Sequence, residues 1–163
     1  MNLDSRKRIL IILYAGDYYD AYQRMISGKG EAYQHHNYAL KSISEFARQD
    51  GVEEVAVLGC ATPNEYNHFL DIGFRVIGAG FHPHKNLPKL NQIIADFNPT
   101  HIVLRTPLKS ILSWSIKNKV KTITLLADSF SSDNLKSRFR NFQLARLLNH
   151  PIVEWVGNHH INS

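Results

Sequence analysis

"LPKLNQIIADFNPTHIVLRTP", Leu87 to Pro107, holds a helix, its end, a strand and the start of a second helix. Leu87, Leu90, Ile93, Ile94 and Phe97 recur at three- and four-residue spacing, the apolar stripe of an amphipathic helix. Asn86 supplies a side-chain oxygen for its N-cap. Pro99 ends it, because the residue before a proline is pushed out of helical backbone. "THIVLRT" (Thr100 to Thr106) then reads as a strand. Thr106-Pro107 sets a capping hydroxyl before a proline at the first helical position, and Leu108, Ile111, Leu112, Ser115 and Ile116 carry the next stripe.

The same alternation extends in both directions. "RILIILYA" (Arg8 to Ala15), "EVAVLGC" (Glu54 to Cys60), "FRVIGAG" (Phe74 to Gly80), "KTITLLAD" (Lys121 to Asp128) and "IVEWVGN" (Ile152 to Asn158) are further runs of this kind. Continuous apolar runs fit strands covered on both faces, as in a parallel sheet. Tyr38, Ala39, Ile43, Phe46 and Ala47 mark a helix beginning near Glu31, and a last long helix runs from Leu135 to Leu148. Between the second and third strands, "NEYNHFLDIG" leaves room only for a short helix. The expectation is a single α/β domain: a Rossmann-like, doubly wound, mainly parallel sheet of about six strands with helices on both faces.

Composition agrees. With 163 residues, 44% apolar and 20% charged, the chain can bury a core and is neither disordered nor low in complexity. The formal charge of +5 favours anionic partners without choosing among them. A single cysteine, Cys60, excludes an internal disulfide, fits a reducing cytoplasm and reads as a small buried hydrophobe. The start, basic and then apolar, resembles a signal peptide, but Gly16 and Asp17 cut it short and no small-residue cleavage site follows. No run approaches the roughly 20 apolar residues that span a bilayer. The expected location is the cytoplasm, with peripheral contact at the inner membrane face.

Ligands on doubly wound sheets bind beyond the carboxyl ends of the strands. The residues expected there are "AGDYYD", "CATPNEY", "GFHPH", "RTP", "ADSFSS" and "GNHH". Asp17, Glu31, Asp128 and His159 are the acid–base candidates by position, and Arg105 is a strand-end cation suited to an anion. The ending "VEWVGNHHINS" reads as the sixth strand and the first turn of a helix capped by Asn158, so a continuation is expected. The histidines at 35–36, 82 and 84, and 159–160 read as surface or capping residues and not as a metal site. Adjacent helical residues point about 100° apart and cannot easily share an ion. "GKG" (Gly28 to Gly30) lacks the phosphate-loop spacing, and no G-x-G-x-x-G follows the first strand. Its glycines permit a close backbone approach to an anion. In the last helix, Leu144, Leu147 and Leu148 can face the sheet. Leu135, Phe139 and Phe142 fall on the other side with Arg138 and Arg146, a face suited to an anionic membrane surface or a partner. Scattered basic residues and the lack of any recognised motif argue against nucleic acid.

In order and spacing the chain resembles the N-terminal half of a GT-B-fold glycosyltransferase of the retaining group 1 (family 4) class. "ILIILYAGD" and "GKGEAYQHHNYALKSISEFARQDGVEEVAVLG" are similar to that family's first strand, glycine loop, long helix and second strand. "IIADFNPTHIVLRTP" resembles its helix, Pro-Asp and strand segment, with Thr100 where Asp is common. "KTITLLADSF" resembles the strand that often ends in His-Asp, here Ala127 and Asp128. "IVEWVGNHHINS" resembles the strand that ends in Ser, with Asn158 near that position. The resemblance implies an acceptor-side domain with Asp128 catalytic. Gly16, Asp17, Gly28, Gly30, Glu31, His82, Arg105, Thr106, Asn158 and His159 would bind substrate. It implies no cofactor and no metal. Its partners would be a nucleotide-sugar donor held mainly by a second domain, and a glycan or lipid-linked acceptor. That second domain carries a pair of glutamates in the family and has no counterpart in these 163 residues, so the chain by itself is expected to be inactive. Self-association through a sheet edge is a further expectation. The alternative is a non-catalytic Rossmann-like module for a nucleotide or another phosphorylated ligand.

Overall fold

The computed structural model describes residues 6–30, 36–126 and 135–157. The order is β1 (Lys7–Leu13), α1 (Tyr18–Ile26), α2 (His36–Ala47), β2 (Val52–Gly59), β3 (Glu65–Phe69), β4 (Arg75–Ala79) and α3 (Leu87–Phe97). There follow β5 (His101–Leu104), α4 (Lys109–Asn118), β6 (Lys121–Leu126), α5 (Leu135–Leu148) and β7 (Val153–Gly157). The strands form one sheet in the order β3-β4-β2-β1-β5-β6-β7. All neighbours are parallel except β3, which pairs antiparallel with β4. With β3 set aside, the six parallel strands renumbered along the chain run 3-2-1-4-5-6, a doubly wound Rossmann-like order. The strand order reverses between β1 and β5.

Alternation along each strand feeds two cores. Leu10 and Ile12 of β1, Ala56 and Leu58 of β2, and Ile102 and Leu104 of β5 face α3, α4 and α5. Ile9, Leu13, Val55, Val57 and Val76 face α1 and α2. Both faces of β1 and β2 are therefore buried, which explains their unbroken apolar runs. Beyond the switch the second layer stops. Ile123 and Leu125 alternate with buried Thr122 and Thr124 and remain more than a third exposed. Among the described residues no helix covers them.

The six expected strands are present, and the structure adds a seventh. β3 lies where a short helix was expected. Its Tyr66 and His68 face the α1 side, while Glu65, Asn67 and Phe69 face the α3 side, which is the period of two of a strand. A turn closed by Leu70 N–H to Phe74 O, at 2.9 Å, returns the chain to β4, with Gly73 at φ +100°. A further helix, α1, was not anticipated. Tyr18, Ala21 and Tyr22 form its buried stripe. Asn86 caps α3 as expected, accepting from Lys89 N–H at 3.1 Å, and left-handed Asn98 ends the helix before Pro99. Thr106 is not the cap of α4. That helix starts two residues later, with Leu108 at the N-cap and no side-chain hydrogen bond. The expected helix start at Glu31 lies outside the described residues.

Candidate functional site

The carboxyl ends of β1, β2, β4 and β5 are tied into one rim. Cys60 N–H donates to Leu13 O (3.1 Å), Ala61 N–H to Tyr14 O (3.0 Å), Phe81 N–H to Cys60 O (3.1 Å) and Arg105 N–H to Ile12 O (3.3 Å). Thr62 Oγ1 donates to Asn64 O (2.8 Å) and accepts from Gly80 N–H (3.0 Å). Two glycines let these turns cross. A Cβ at Gly59 would run into the carbonyl oxygen of Gly16, and Gly16 itself sits at φ +126°.

An aromatic platform stands on this rim. The Tyr14 ring lies 5.7 Å from His82 and 6.3 Å from His84, and the two imidazoles are 5.8 Å apart. All three side chains belong to exposed residues. Beside it a second set of rings stacks: Tyr19 on His68 at 4.4 Å and Tyr66 on Tyr19 at 5.4 Å. Gly78 makes room for Tyr66, whose ring fills the space a Cβ would take.

Asp17 anchors the second group. Its Oδ1 accepts from Tyr19 N–H (3.1 Å), Asp20 N–H (2.9 Å) and Tyr66 O–H (2.9 Å). The carboxylate is thus the N-cap of α1, where the helix dipole favours negative charge. The Tyr66 phenol is held well above its ordinary range, by burial first and then by its bond to Asp17. It therefore remains a donor at physiological pH. Replacing Asp17 by Ala removes the cap and orphans a half-buried phenol, so unfolding in urea should show a loss of about 2 kcal/mol. Asn, which can also cap, should lose less. Equal stability of the Ala variant and the parent protein would show that Asp17 has no structural role.

Gly16, Asp17, His82, Arg105 and Thr106 all lie along this rim, at the ends of β1, β4 and β5, with His82 separated from Arg105 and Thr106 by the ends of β2 and β1. Gly28 and Gly30 do not. Gly28, at φ +66°, closes the far end of α1 with its N–H on Met25 O, and Gly30 lies just beyond, so the length of α1 separates both from Asp17. Glu31, Asp128, Asn158 and His159 lie outside the described residues. Tyr66 and His84 fall within stretches expected at the strand ends but were not singled out as site residues, and Tyr14 and His68 were missing from the expected site. The sign of Tyr14 was its place just past the last buried residue of the first strand. The pairing of Tyr66 with β4 had no local sign. Cys60 is fully buried, and desolvation pushes its thiol to about 12, so it is an inert core residue as expected.

Two hollows lie away from the exposed Tyr14, His82 and His84 rings. One, of about 510 Å³, runs between α3 and the β3–β4 edge. Its charges satisfy one another: Glu54 bridges Arg8 (2.9 Å) and Arg75 (2.6 Å), Arg75 donates to Asn67 (2.9 Å) and Arg8 donates to Phe97 O (2.8 Å). The other, of about 500 Å³, lies at the starts of β5 and β6. Neither is at the carboxyl ends of the strands. Size alone is a poor guide here, and the rim is the better candidate because it combines exposed rings and polar groups at the switch point. Among the described residues no cluster of three or more metal-ligating side chains occurs, and no helix is long and apolar enough to cross a membrane. No protein-family model matches the sequence, and no curated protein matches it. The architecture is that of an α/β domain on a doubly wound, Rossmann-like sheet.

Proposed function

We propose that the chain is the acceptor-side domain of a glycosyltransferase that moves a sugar from a nucleotide-sugar donor to a hydroxyl of a glycan or lipid-linked acceptor. One observation carries this reading over its rival. In a Rossmann nucleotide site the pyrophosphate rests on the amides that open the first helix. Here the Asp17 carboxylate occupies those amides, while Asp20 in the same turn is paired with Arg24 at 2.6 Å. A phosphate is repelled from that place. A hydroxyl is not, and Asp17 Oδ2, which takes no hydrogen bond among the described residues, is free to accept one.

The platform suits a sugar for related reasons. The faces of Tyr14, His82 and His84 offer flat apolar contact to the C–H face of a pyranose. The imidazole nitrogens, the Thr106 hydroxyl and the Arg105 guanidinium offer edge-on partners to its hydroxyls. The donor would be held by the family's second domain. Thermal unfolding with a panel of oligosaccharides and nucleotides tests the proposal. An oligosaccharide at about a hundred times its Kd should stabilise by about 2.7 kcal/mol. Tyr14→Ala should abolish that shift and leave the unliganded Tm unchanged. A shift given by micromolar nucleotide and by no oligosaccharide would instead establish a nucleotide-binding module.

A further inference from the structure

Helix α5 presents two apolar stripes. Leu144 and Leu148 are buried against the sheet, with Leu147 packed beside them. On the opposite side Leu135, Phe139 and Phe142 are 83%, 63% and 68% exposed. These are the exposed large apolar side chains of the helix, and three or four residues, about one turn, separate each from the next. Burying them would be favourable, yet nothing in the described fold does so.

The charge around this stripe is of one sign. Lys136, Arg138, Arg140 and Arg146 are all exposed, and α5 has no acidic residue. Its neighbour α4 adds exposed Lys109 and Lys117 and also has none. The chain has 14 acidic residues in all, so their absence from both helices is a segregation of charge and not a general shortage. Arg146 falls within the apolar stripe itself, and Arg138 flanks it. Arginine and lysine stems can lie along an apolar surface while their heads reach outward.

We infer that the outer face of α5 is a docking surface for an anionic lipid bilayer. Leu135, Phe139 and Phe142 enter the boundary between headgroups and acyl chains, and the cations of α5 and α4 pair with lipid phosphates. A protein partner would need an apolar groove lined with acids. A bilayer supplies both the apolar interior and the planar negative charge. The bilayer face is independent of the sugar-transfer reading of the rim, which is built from other strands and loops.

Co-sedimentation of the whole chain with vesicles tests the inference. Vesicles containing about 30% phosphatidylglycerol should bind it, and pure phosphatidylcholine vesicles should bind at least tenfold less. About 0.5 M NaCl should release most of the bound protein. The double variant Phe139→Ser, Phe142→Ser should lose at least tenfold in binding. Arg138→Ala with Arg146→Ala should lose roughly thirtyfold. All four side chains are exposed, so circular dichroism of the variants should match the parent. If a variant misfolds, the lipid and salt contrasts of the unaltered chain still decide. Equal binding to both vesicle types, or binding to neither, overturns the inference. So does a concentration-dependent oligomer that Phe139→Ser disperses while vesicles fail to bind, which would make the face a protein interface.

Discussion

Phe74→Ala should lower the free energy of unfolding by about 3–5 kcal/mol. Phe74 is the largest fully buried side chain among the described residues, with none of its surface exposed. It lies where the β3–β4 turn meets the layer of α1 and α2. That turn is also held by Tyr22 O–H on Asp71 (2.6 Å) and Ser44 O–H on Ile72 O (2.5 Å). The Tyr22 phenol is raised, mainly by the Asp71 bond and then by burial. Removing the ring leaves a cavity and loosens the turn, and these losses reinforce each other. A urea titration reads the effect directly, and the thermal midpoint should fall by about 10 °C. A loss below about 1 kcal/mol would mean that α1 and α2 collapse onto the gap and that the turn is fixed by its hydrogen bonds.

Gly59→Ala acts on both stability and binding. The new methyl meets backbone, the Gly16 carbonyl, and also comes within 3.0 Å of Thr62 Cγ2. Backbone cannot rotate away as a side-chain tip can. The expected loss is about 2–3 kcal/mol, near the upper end for overpacking. Relief comes only by moving the Gly16 turn, and with it Tyr14 and Asp17. Any oligosaccharide affinity of the rim should therefore fall together with stability. Gly30→Ala is the control. Its Cβ meets nothing within 4 Å among the described residues, and the change should leave stability level or raise it by up to about 1 kcal/mol. Equal effects of the two substitutions would show that the Gly59 crossing is not tight.

β1 and β2 were legible because both of their faces are buried, so each writes an unbroken apolar run, whereas β6 and β7, with one face uncovered, were legible from their place in the strand–helix alternation. β3 was not. It is a half-exposed edge strand whose partner comes after it in the chain, and "EYNHF" carries its alternation in rings and polar groups. α1 escaped notice because its stripe opens with tyrosines at a strand end, where a ligand loop was expected. In the site, Asp17 was legible by position, but its role was not. Acting as a cap and accepting from Tyr66 depends on a residue 49 positions away. Gly28 shows the opposite error. A glycine suited to a phosphate loop is equally suited to ending a helix, and only the end of α1 distinguishes the two.

Each margin of the sheet carries an exposed aromatic side chain. β3 forms one margin with Glu65, Asn67, His68 and Phe69, the last 58% exposed. β7 forms the other with Trp155 and Val156, which are 47% and 58% exposed, and it has no outer neighbour among the described residues. Fibres grow when one subunit's edge accepts the unlike edge of the next, which requires two receptive edges. Neither edge strand has an outer strand partner among the described residues, so both margins are open to joining of this kind.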